Sequence, residues 1–303
     1  MPSRADSDQK LQTGKNFELF AQKVLVIVGK GGTGRTTVAR ILAEVATKAG
    51  KRTTVIAGAS GTFYVNREDS LLTFASLEPG DVLIDYLDEH GLGQLGKRLS
   101  SSGLASIIST AIPGIADLLV LAKIKQMERS ETADLIIFDA PASGHFLKLI
   151  STPKGLAEIA AAGPLQKQSK EVLEMLTDPA RLGVAFVTAA EDTPVKESIE
   201  TMEKLRQEAG ISPKALFVNA LLPQMREIGG VAGSEIRKNS SAISRAAQYT
   251  SQRASAQRKR EAMAERAFGL APIEIPLVPK VELDDDDIKN LAEIVEPQIQ
   301  VAR

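Results

Sequence analysis

The chain has 303 residues, of which 43% are hydrophobic and 25% charged, and its formal net charge is −1. This is the composition of an ordinary globular protein with one large or two small domains, and the near-neutral charge argues against nucleic acid or an anionic membrane as the main partner. The sequence contains no cysteine and only two histidines, His90 and His145. Disulfides, thiolate metal sites and cysteine nucleophiles are therefore excluded, and a histidine-rich metal centre is not expected.

The N-terminal segment is polar and lacks the apolar core of a signal peptide. We therefore predict that residues 1–20 form a disordered tail and that residues 21–303 form the folded domain of a cytoplasmic protein. No internal repeat is visible along the chain.

Short apolar runs rich in β-formers alternate with helical stretches beyond the tail. Most of these runs are apolar almost throughout, as expected for strands that are covered on both faces in a parallel sheet. Their order predicts an α/β fold with a doubly wound, mostly parallel sheet and right-handed crossovers. The predicted strands are residues 23–28, 52–57, 134–139, 183–188, 215–220 and 273–278.

A long segment separates the second and third predicted strands. Residues 58–133 are too many for a simple crossover and carry several helical patterns, so we predict a helical insertion at about residues 64–131. Its apolar part, residues 103–124, is long enough to span a bilayer. Asp117 and a break at Pro113 instead predict two buried helices, because a central carboxylate costs several kcal/mol in lipid.

A second long segment, residues 224–270, contains a helix rich in lysine and arginine over residues 237–266. We interpret it as a long helix with a solvated basic face, since a run of charge rarely identifies an anionic partner by itself. The aromatic content of 4% also argues against base stacking along it. No nucleic-acid partner and no transmembrane segment are predicted, which leaves peripheral membrane association open.

A glycine-rich loop, "GKGGTGRTT" at residues 29–37, lies between the first predicted strand and a helical segment. Strand, glycine-rich turn and helix in this order are the context of a phosphate-binding loop. In such a loop, backbone N–H groups and the positive end of the helix hold the phosphates. Thr36 stands where the Mg²⁺-binding hydroxyl belongs, and Thr37 can approach a neighbouring phosphate oxygen.

The same glycines also fit a weaker pattern. Gly29, Gly31 and Gly34 match G-x-G-x-x-G, the fingerprint of dinucleotide sites. Such a site needs an acidic residue near the end of the second strand, and the segment "IAGASGTF" there has none. An NAD(P)-binding oxidoreductase is therefore the remote alternative.

Three motifs together carry a family resemblance. The loop "KGGTGRTT" resembles the deviant Walker A motif, KGGxGK[ST], of the MinD/ParA/ArsA class of dimeric ATPases. The segment "DLIIFDAPASGHFLKLI" resembles the switch II signature of the arsenite-pump and tail-anchored-protein-targeting branch, and "LFVNALLP" and "IEIPLVPKV" resemble its later adenine-binding elements. From Lys23 onward the chain is identified as an ArsA/Get-like P-loop ATPase of the SIMIBI type, of the shorter kind with one nucleotide domain.

The resemblance implies a site for ATP and Mg²⁺. Thr36 and Asp139 would hold Mg²⁺, the latter through water, and Gly144 would sense the γ-phosphate, with His145 in the mobile switch behind it. Lys30, Arg35 and Asp139 are the implied catalytic residues, and Lys30 would reach across a dimer interface to the partner's phosphates. The implied nucleotide-binding residues are Gly29, Lys30, Gly31, Gly32, Thr33, Gly34, Arg35, Thr36, Thr37, Gly144, Asn219, Pro276, Val278 and Pro279.

The chain departs from the family pattern in three ways. Arg35 replaces the phosphate lysine, and a planar guanidinium does not fit a cavity shaped for a compact ammonium. Ala59, with Ser60 beside it, stands where switch I has its water-positioning acid, a loss that costs about 10²–10⁴ in rate. The absence of cysteine removes the metalloid and zinc chemistry of other members.

These departures predict an ATPase that is slow or inactive alone. Because family members in some bacteria occur as paired paralogues, the chain is either a slow homodimer or one subunit of a heterodimer with an intact paralogue. A protein client would bind the helical insertion, with residues 104–121 as its responsive surface. A non-hydrolysing regulatory scaffold is the alternative function.

Overall fold

The computed structural model describes residues 19–57, 71–89, 91, 93–102, 114–160, 162–223 and 242–299. Strands and helices alternate along most of this range. The strands are β1 (Val24–Gly29), β2 (Thr53–Ala57), β3 (Leu72–Ser76), β4 (Leu135–Asp139), β5 (Leu182–Ala189), β6 (Ala215–Leu221) and β7 (Pro272–Pro276). The helices are α1 (Arg35–Lys48), α2 (Pro79–Glu89), α3 (Gly93–Ser102), α4 (Ile115–Arg129), α5 (Ser143–Ile159), α6 (Pro164–Thr177), α7 (Asp192–Ala209), α8 (Ala242–Phe268) and α9 (Asp285–Val295).

The strands form one parallel sheet of seven, in the order β3-β2-β4-β1-β5-β6-β7. Strand β1 lies in the middle, where Val24 is in register with Ile136 of β4 and with Leu182 of β5. All six residues of β1 are buried, because helices cover both faces of the sheet. The doubly wound parallel fold predicted from the apolar runs is confirmed.

Helices bury the two faces of this sheet with residues at helical spacing. On one face, α1 presents Val38, Ile41, Leu42 and Val45 together with residues of α9. On the other face, residues of α4 to α7 pack against the sheet, among them Phe146. Burial of each such aliphatic or aromatic side chain contributes about 1.5–3 kcal/mol to the free energy of folding. The helix layers therefore hold the strands in place.

The segment between β2 and β4 is not wholly helical, which corrects the prediction for residues 64–131. Its residues Leu72–Ser76 form β3, which pairs with β2 in parallel register. This strand was missed because it lies at the sheet edge with both faces partly exposed, and its sequence "LTFAS" has no continuous apolar run. Helices α2, α3 and α4 follow it.

The apolar stretch at residues 103–124 was predicted to form two buried helices and not a membrane span. Residues 103–113, including the predicted break at Pro113, lie outside the described residues, and α4 begins at Ile115 after a left-handed Gly114. Within the described ranges, no helix is long and apolar enough to cross a bilayer.

The N-terminal boundary also needs a small correction. Leu19 and Phe20, which the sequence prediction places in the tail, are buried in the core beside α1. The folded domain therefore includes both residues, and the rest of the predicted tail lies outside the described residues.

Candidate nucleotide site

The glycine-rich loop joins the central strand β1 to α1, so it lies at the carboxyl edge of the sheet. A Cβ on Gly29 would lie 2.3 Å from the Val187 carbonyl oxygen, and a Cβ on Gly34 would lie 2.0 Å from Asn219 Nδ2. Gly34 also has a positive φ of 92°, a region that disfavours other residues. These two glycines are thus required by packing, whereas Gly31 and Gly32 face open space in front of the loop.

Hydrogen bonds within and behind the loop hold its shape. The Thr33 hydroxyl donates to the Lys30 carbonyl oxygen at 2.8 Å. From β6, Asn219 Nδ2 donates to the Thr33 carbonyl oxygen at 3.0 Å. The Asn219 amide, which was predicted to bind adenine, therefore donates its nitrogen to the glycine-rich loop. This hydrogen bond stabilises the conformation of the loop.

Thr36 and Asp139 form the central polar pair of the site. Thr36 Oγ1, in the first turn of α1, donates to Asp139 Oδ2 at 2.6 Å, and Asp139 ends the buried strand β4. Asp139 is 6% exposed, and its other oxygen, Oδ1, is buried without a hydrogen-bond partner. Burial raises the pKa of the Asp139 carboxyl, partly offset by the Thr36 hydrogen bond and the Arg35 charge. A carboxylate with an unused buried oxygen beside a threonine hydroxyl is a donor set that fits Mg²⁺.

Arg35 connects the loop to the strand that carries Asp139. Its Nη1 donates to the carbonyl oxygen of Ala140, the residue after β4. Burial lowers the pKa of the Arg35 guanidinium, and the nearby Asp139 carboxylate opposes that shift. The arginine in the lysine position is thus bound to the start of the predicted switch II segment.

Lys30 is paired within its own chain. Its Nζ lies 2.6 Å from Oε1 of Glu197, on the second turn of α7. Both side chains are about 40% exposed, at 39% and 40%. The lysine predicted to reach a partner subunit therefore has an intramolecular partner that the sequence did not reveal.

The switch II residues lie at the start of α5. The His145 backbone N–H donates to the Ala142 carbonyl oxygen at 2.8 Å, and a Cβ on Gly144 would meet open space. His145 Nε2 lies 3.5 Å from Oδ1 of Asp117, in the first turn of α4. The predicted switch II therefore contacts the insertion through Asp117, the carboxylate within its apolar stretch.

An open cavity of about 660 Å³ adjoins the loop at the carboxyl edge of the sheet. Of the residues predicted to bind nucleotide, it is lined by Gly32, Thr36, Thr37, Asn219, Pro276 and Val278. Pro279 is not among its lining residues, although its neighbour Lys280 is. The cavity is also lined by residues that sequence reasoning missed, two of them basic: Arg40, Ala220, Leu277, Lys280, Val281, Glu282, Leu283 and Leu291.

The two basic residues of this set have acidic partners on α9 or just before it. Arg40 Nη2 lies 2.7 Å from Asp285, and Lys280 Nζ lies 2.8 Å from Asp287. Hydrogen bonds to Asp287 and Asp284 raise the pKa of the Lys280 ammonium. Ala59 and Ser60, the positions of the missing switch I acid, lie outside the described residues.

The fold and the site together define the class of protein. A parallel sheet with a glycine-rich loop after its central strand, a Thr–Asp pair and an adjoining cavity is the arrangement of a P-loop nucleotide-binding protein.

Comparison with known proteins places the chain more narrowly. The family model described as anion-transporting ATPase, ArsA, matches residues 93–163 and 158–230, a range that contains Asp139, Gly144 and Asn219. The ATPase BagA of Mycobacterium tuberculosis is 28% identical over 213 residues, which cover 62% of this chain and 62% of that protein. A putative arsenical pump-driving ATPase of Halobacterium salinarum is 24% identical over 233 residues, 67% of this chain and 36% of that protein. The ATPase GET3B of Arabidopsis thaliana is 24% identical over 267 residues, 67% of this chain and 65% of that protein.

These matches agree with the sequence motifs that lie at the carboxyl edge of the sheet. They support an ArsA/Get-like P-loop ATPase. The chain spans less than two thirds of the length of each of these three relatives. None of these three relatives is named as a dinucleotide-binding protein, so these matches give the dinucleotide hypothesis no support.

Proposed function

We propose that this chain is a nucleotide-switched ATPase that binds ATP and Mg²⁺ in the cavity beside the phosphate loop, works as a dimer and turns over slowly by itself. The observation that carries the proposal is the Thr36–Asp139 hydrogen bond of 2.6 Å, which joins the loop to the end of β4. In P-loop enzymes these two positions surround the metal of the nucleotide.

Binding would use groups that the free chain leaves open. The backbone at Gly31 and Gly32 faces open space, and the α1 N-terminus behind the loop favours negative charge. The unpartnered Oδ1 of Asp139 and the Thr36 hydroxyl would hold Mg²⁺, directly or through water. Once bound, this ion neutralises charge on the phosphates.

Slow turnover follows from Arg35. Its guanidinium is partly buried and bound through Nη1 to the Ala140 carbonyl oxygen, so this contact competes with the phosphates for its charge. A guanidinium also places its charge differently from an ammonium. Together with Ala59 in place of the switch I acid, this supports weak catalysis of hydrolysis by the chain alone.

The dimer proposal rests on Lys30. For Lys30 to reach a partner's phosphates it must leave Glu197, and an exposed ion pair of this kind is worth only about 0–1 kcal/mol. A triphosphate on the partner can therefore compete for the lysine. The partner is a second copy of this chain or a paralogue with an intact lysine and acid, to which this chain would supply Lys30.

The insertion is proposed to bind a protein client. Its helix α4 contacts the switch through Asp117 and His145 at 3.5 Å. A nucleotide-dependent movement of the switch would therefore displace α4. This contact would couple the proposed client site to the bound nucleotide.

The second candidate function is a regulatory subunit that binds ATP without hydrolysing it. The contact of Arg35 with Ala140 favours it, since the residue that should stabilise the transferred phosphate is held elsewhere. In that case the chain would act only as a partner for another ATPase.

Phosphate release from ATP and Mg²⁺ by the purified chain, with and without Arg35→Lys, distinguishes these functions. We expect slow release by the wild type and at least about a tenfold increase in Arg35→Lys, because the ammonium restores charge at the reacting phosphate. If only the further change Ala59→Asp or Ser60→Asp restores turnover, the missing acid is the limiting defect. ATP binding with no turnover in any variant would favour the regulatory subunit, and absence of ATP binding by the wild type would contradict both functions.

A further inference from the structure

Near its end, β6 contains a backbone turn of uncommon conformation. Ala220 has a φ of 59°, and among the described residues it is the only one other than glycine with a positive φ. The same turn interrupts the pairing of β6 with β7, whose register shifts between Val218 and Leu221. An alanine in the left-handed region persists only where the surrounding structure holds it.

Gln257, near the middle of α8, holds this turn from both sides. Its Nε2 donates to the Ala220 carbonyl oxygen at 3.1 Å, and its Oε1 accepts a hydrogen bond from the Leu222 backbone N–H at 2.8 Å. The Gln257 side chain is nearly buried, with 7% of the residue exposed. A primary amide carries both a donor and an acceptor at one end, so it can satisfy two backbone groups of opposite character.

The turn is directly connected to the phosphate loop. Asn219 precedes Ala220, and both residues line the cavity. The Asn219 amide also donates to the Thr33 carbonyl oxygen of the loop at 3.0 Å. A change in the path of residues 220–222 would therefore move Asn219, and with it the loop and one wall of the cavity.

Helix α8 is itself fixed on either side of Gln257. Arg260 makes two hydrogen bonds to Asp192, at 2.9 and 2.7 Å, and Arg253 lies 3.2 Å from Glu191. Arg258 lies 2.7 Å from Glu274 of β7. Part of the basic face that the sequence assigned to solvent thus pairs with acidic groups at the start of α7 and on β7, while Ala264 and Phe268 of the same helix are buried in the core.

We propose that Gln257 is a positioning residue for the nucleotide site. It acts through Ala220 and Asn219, without touching the nucleotide, and sets the affinity of the cavity for the nucleoside part of its ligand. The proposal rests on the proposed function, since it assumes that the cavity binds an adenine nucleotide.

The test compares ADP binding by full-length Gln257→Leu and Gln257→Glu with that of the wild type, by calorimetric titration. Gln257→Leu loses both hydrogen bonds, and we expect about tenfold weaker ADP binding. Gln257→Glu keeps the acceptor for the Leu222 N–H but loses the donor, so an intermediate loss is expected. The matched control is Gln252→Leu, which makes the same change at an exposed position of α8 and should bind ADP as the wild type does.

Two further measurements separate positioning from a general loss of stability. A second change, Ala220→Gly, removes the penalty of the left-handed turn, so Gln257→Leu with Ala220→Gly should recover part of the lost affinity. If Gln257→Leu lowers the melting temperature but binds ADP like the wild type, the positioning role is wrong and the side chain is only structural. If the wild type itself binds no ADP, the proposed function is wrong and the positioning role is overturned with it.

Discussion

Two aspartates five positions apart, one before β4 and one at its end, respond to the fold in opposite ways. Asp134, just before the strand, is exposed and accepts hydrogen bonds from Arg52 Nη2 at 2.7 Å and Nε at 3.1 Å, and these contacts lower the pKa of its carboxyl from 3.8 to about 2. Asp139, at the end of the strand, is buried, and burial raises the pKa of its carboxyl. The fold thus stabilises the ionised carboxylate of Asp134 before β4 and destabilises that of Asp139 at its end.

The same contrast extends across the two edges of the sheet. At the amino edge, Arg181 pairs with Glu128 at 2.7 Å and Lys23 donates to the Ser130 carbonyl oxygen. At the carboxyl edge, an oxygen of Asp139 has no partner and burial lowers the pKa of Arg35. The charges named at the amino edge are thus paired within the chain. The carboxyl edge also has such pairs, at Lys30 and Arg40, but the Asp139 carboxylate keeps an oxygen that is open to a cation.

Replacing each aspartate by asparagine should change stability in opposite directions. Asp139→Asn removes a buried carboxylate with an unpaired oxygen, and we expect the free energy of unfolding of the nucleotide-free chain to rise by about 1–3 kcal/mol. Asp134→Asn removes a favourable exposed ion pair, so a small decrease is expected. Thermal denaturation of both variants at neutral pH would measure the two changes, and a destabilised Asp139→Asn would contradict the contrast.

Acidification should affect the two aspartates differently, because their contributions to the free energy of unfolding have opposite signs. The raised pKa of Asp139 means that its ionised form lowers stability above that pKa, and this penalty disappears as the pH falls through it. The lowered pKa of Asp134 means that its stabilisation is complete above 3.8 and is lost as the pH falls toward 2. The advantage of Asp139→Asn over the wild type should therefore shrink in acid, and so should the deficit of Asp134→Asn.

A smaller effect is expected at Glu197. Glu197→Gln weakens the pair that holds Lys30 in its own chain, so the lysine is freer to meet a partner's phosphates. Since such a pair is worth up to about 1 kcal/mol, dimerisation with a non-hydrolysable ATP analogue should strengthen by up to about fivefold. Sedimentation velocity would measure it, with Glu200→Gln, at an exposed position of the same helix, as the control. Equal dimerisation of the two variants would show that Glu197 does not restrain Lys30.

The sequence predicts the parts of this molecule that depend on short segments. Six of the seven strands follow from apolar runs, and the Thr36–Asp139 pair follows from two motifs at the carboxyl ends of neighbouring strands. Side-chain contacts between segments that are distant in the sequence could not be predicted, because they depend on how the helices pack against the sheet. Lys30 with Glu197 and Gln257 with Ala220 are of this kind, and β3 was missed because an edge strand needs no continuous apolar run.

We propose that the carboxyl end of β4 belongs to a metal-dependent nucleotide site. Calorimetric titration of ADP with and without Mg²⁺ into the wild type, Asp139→Asn and Asp134→Asn tests it directly. We expect Mg²⁺ to strengthen ADP binding by about tenfold or more in the wild type and in Asp134→Asn, and we expect Asp139→Asn to lose this gain. A gain of the same size in Asp139→Asn, or no nucleotide binding by the wild type, would contradict it.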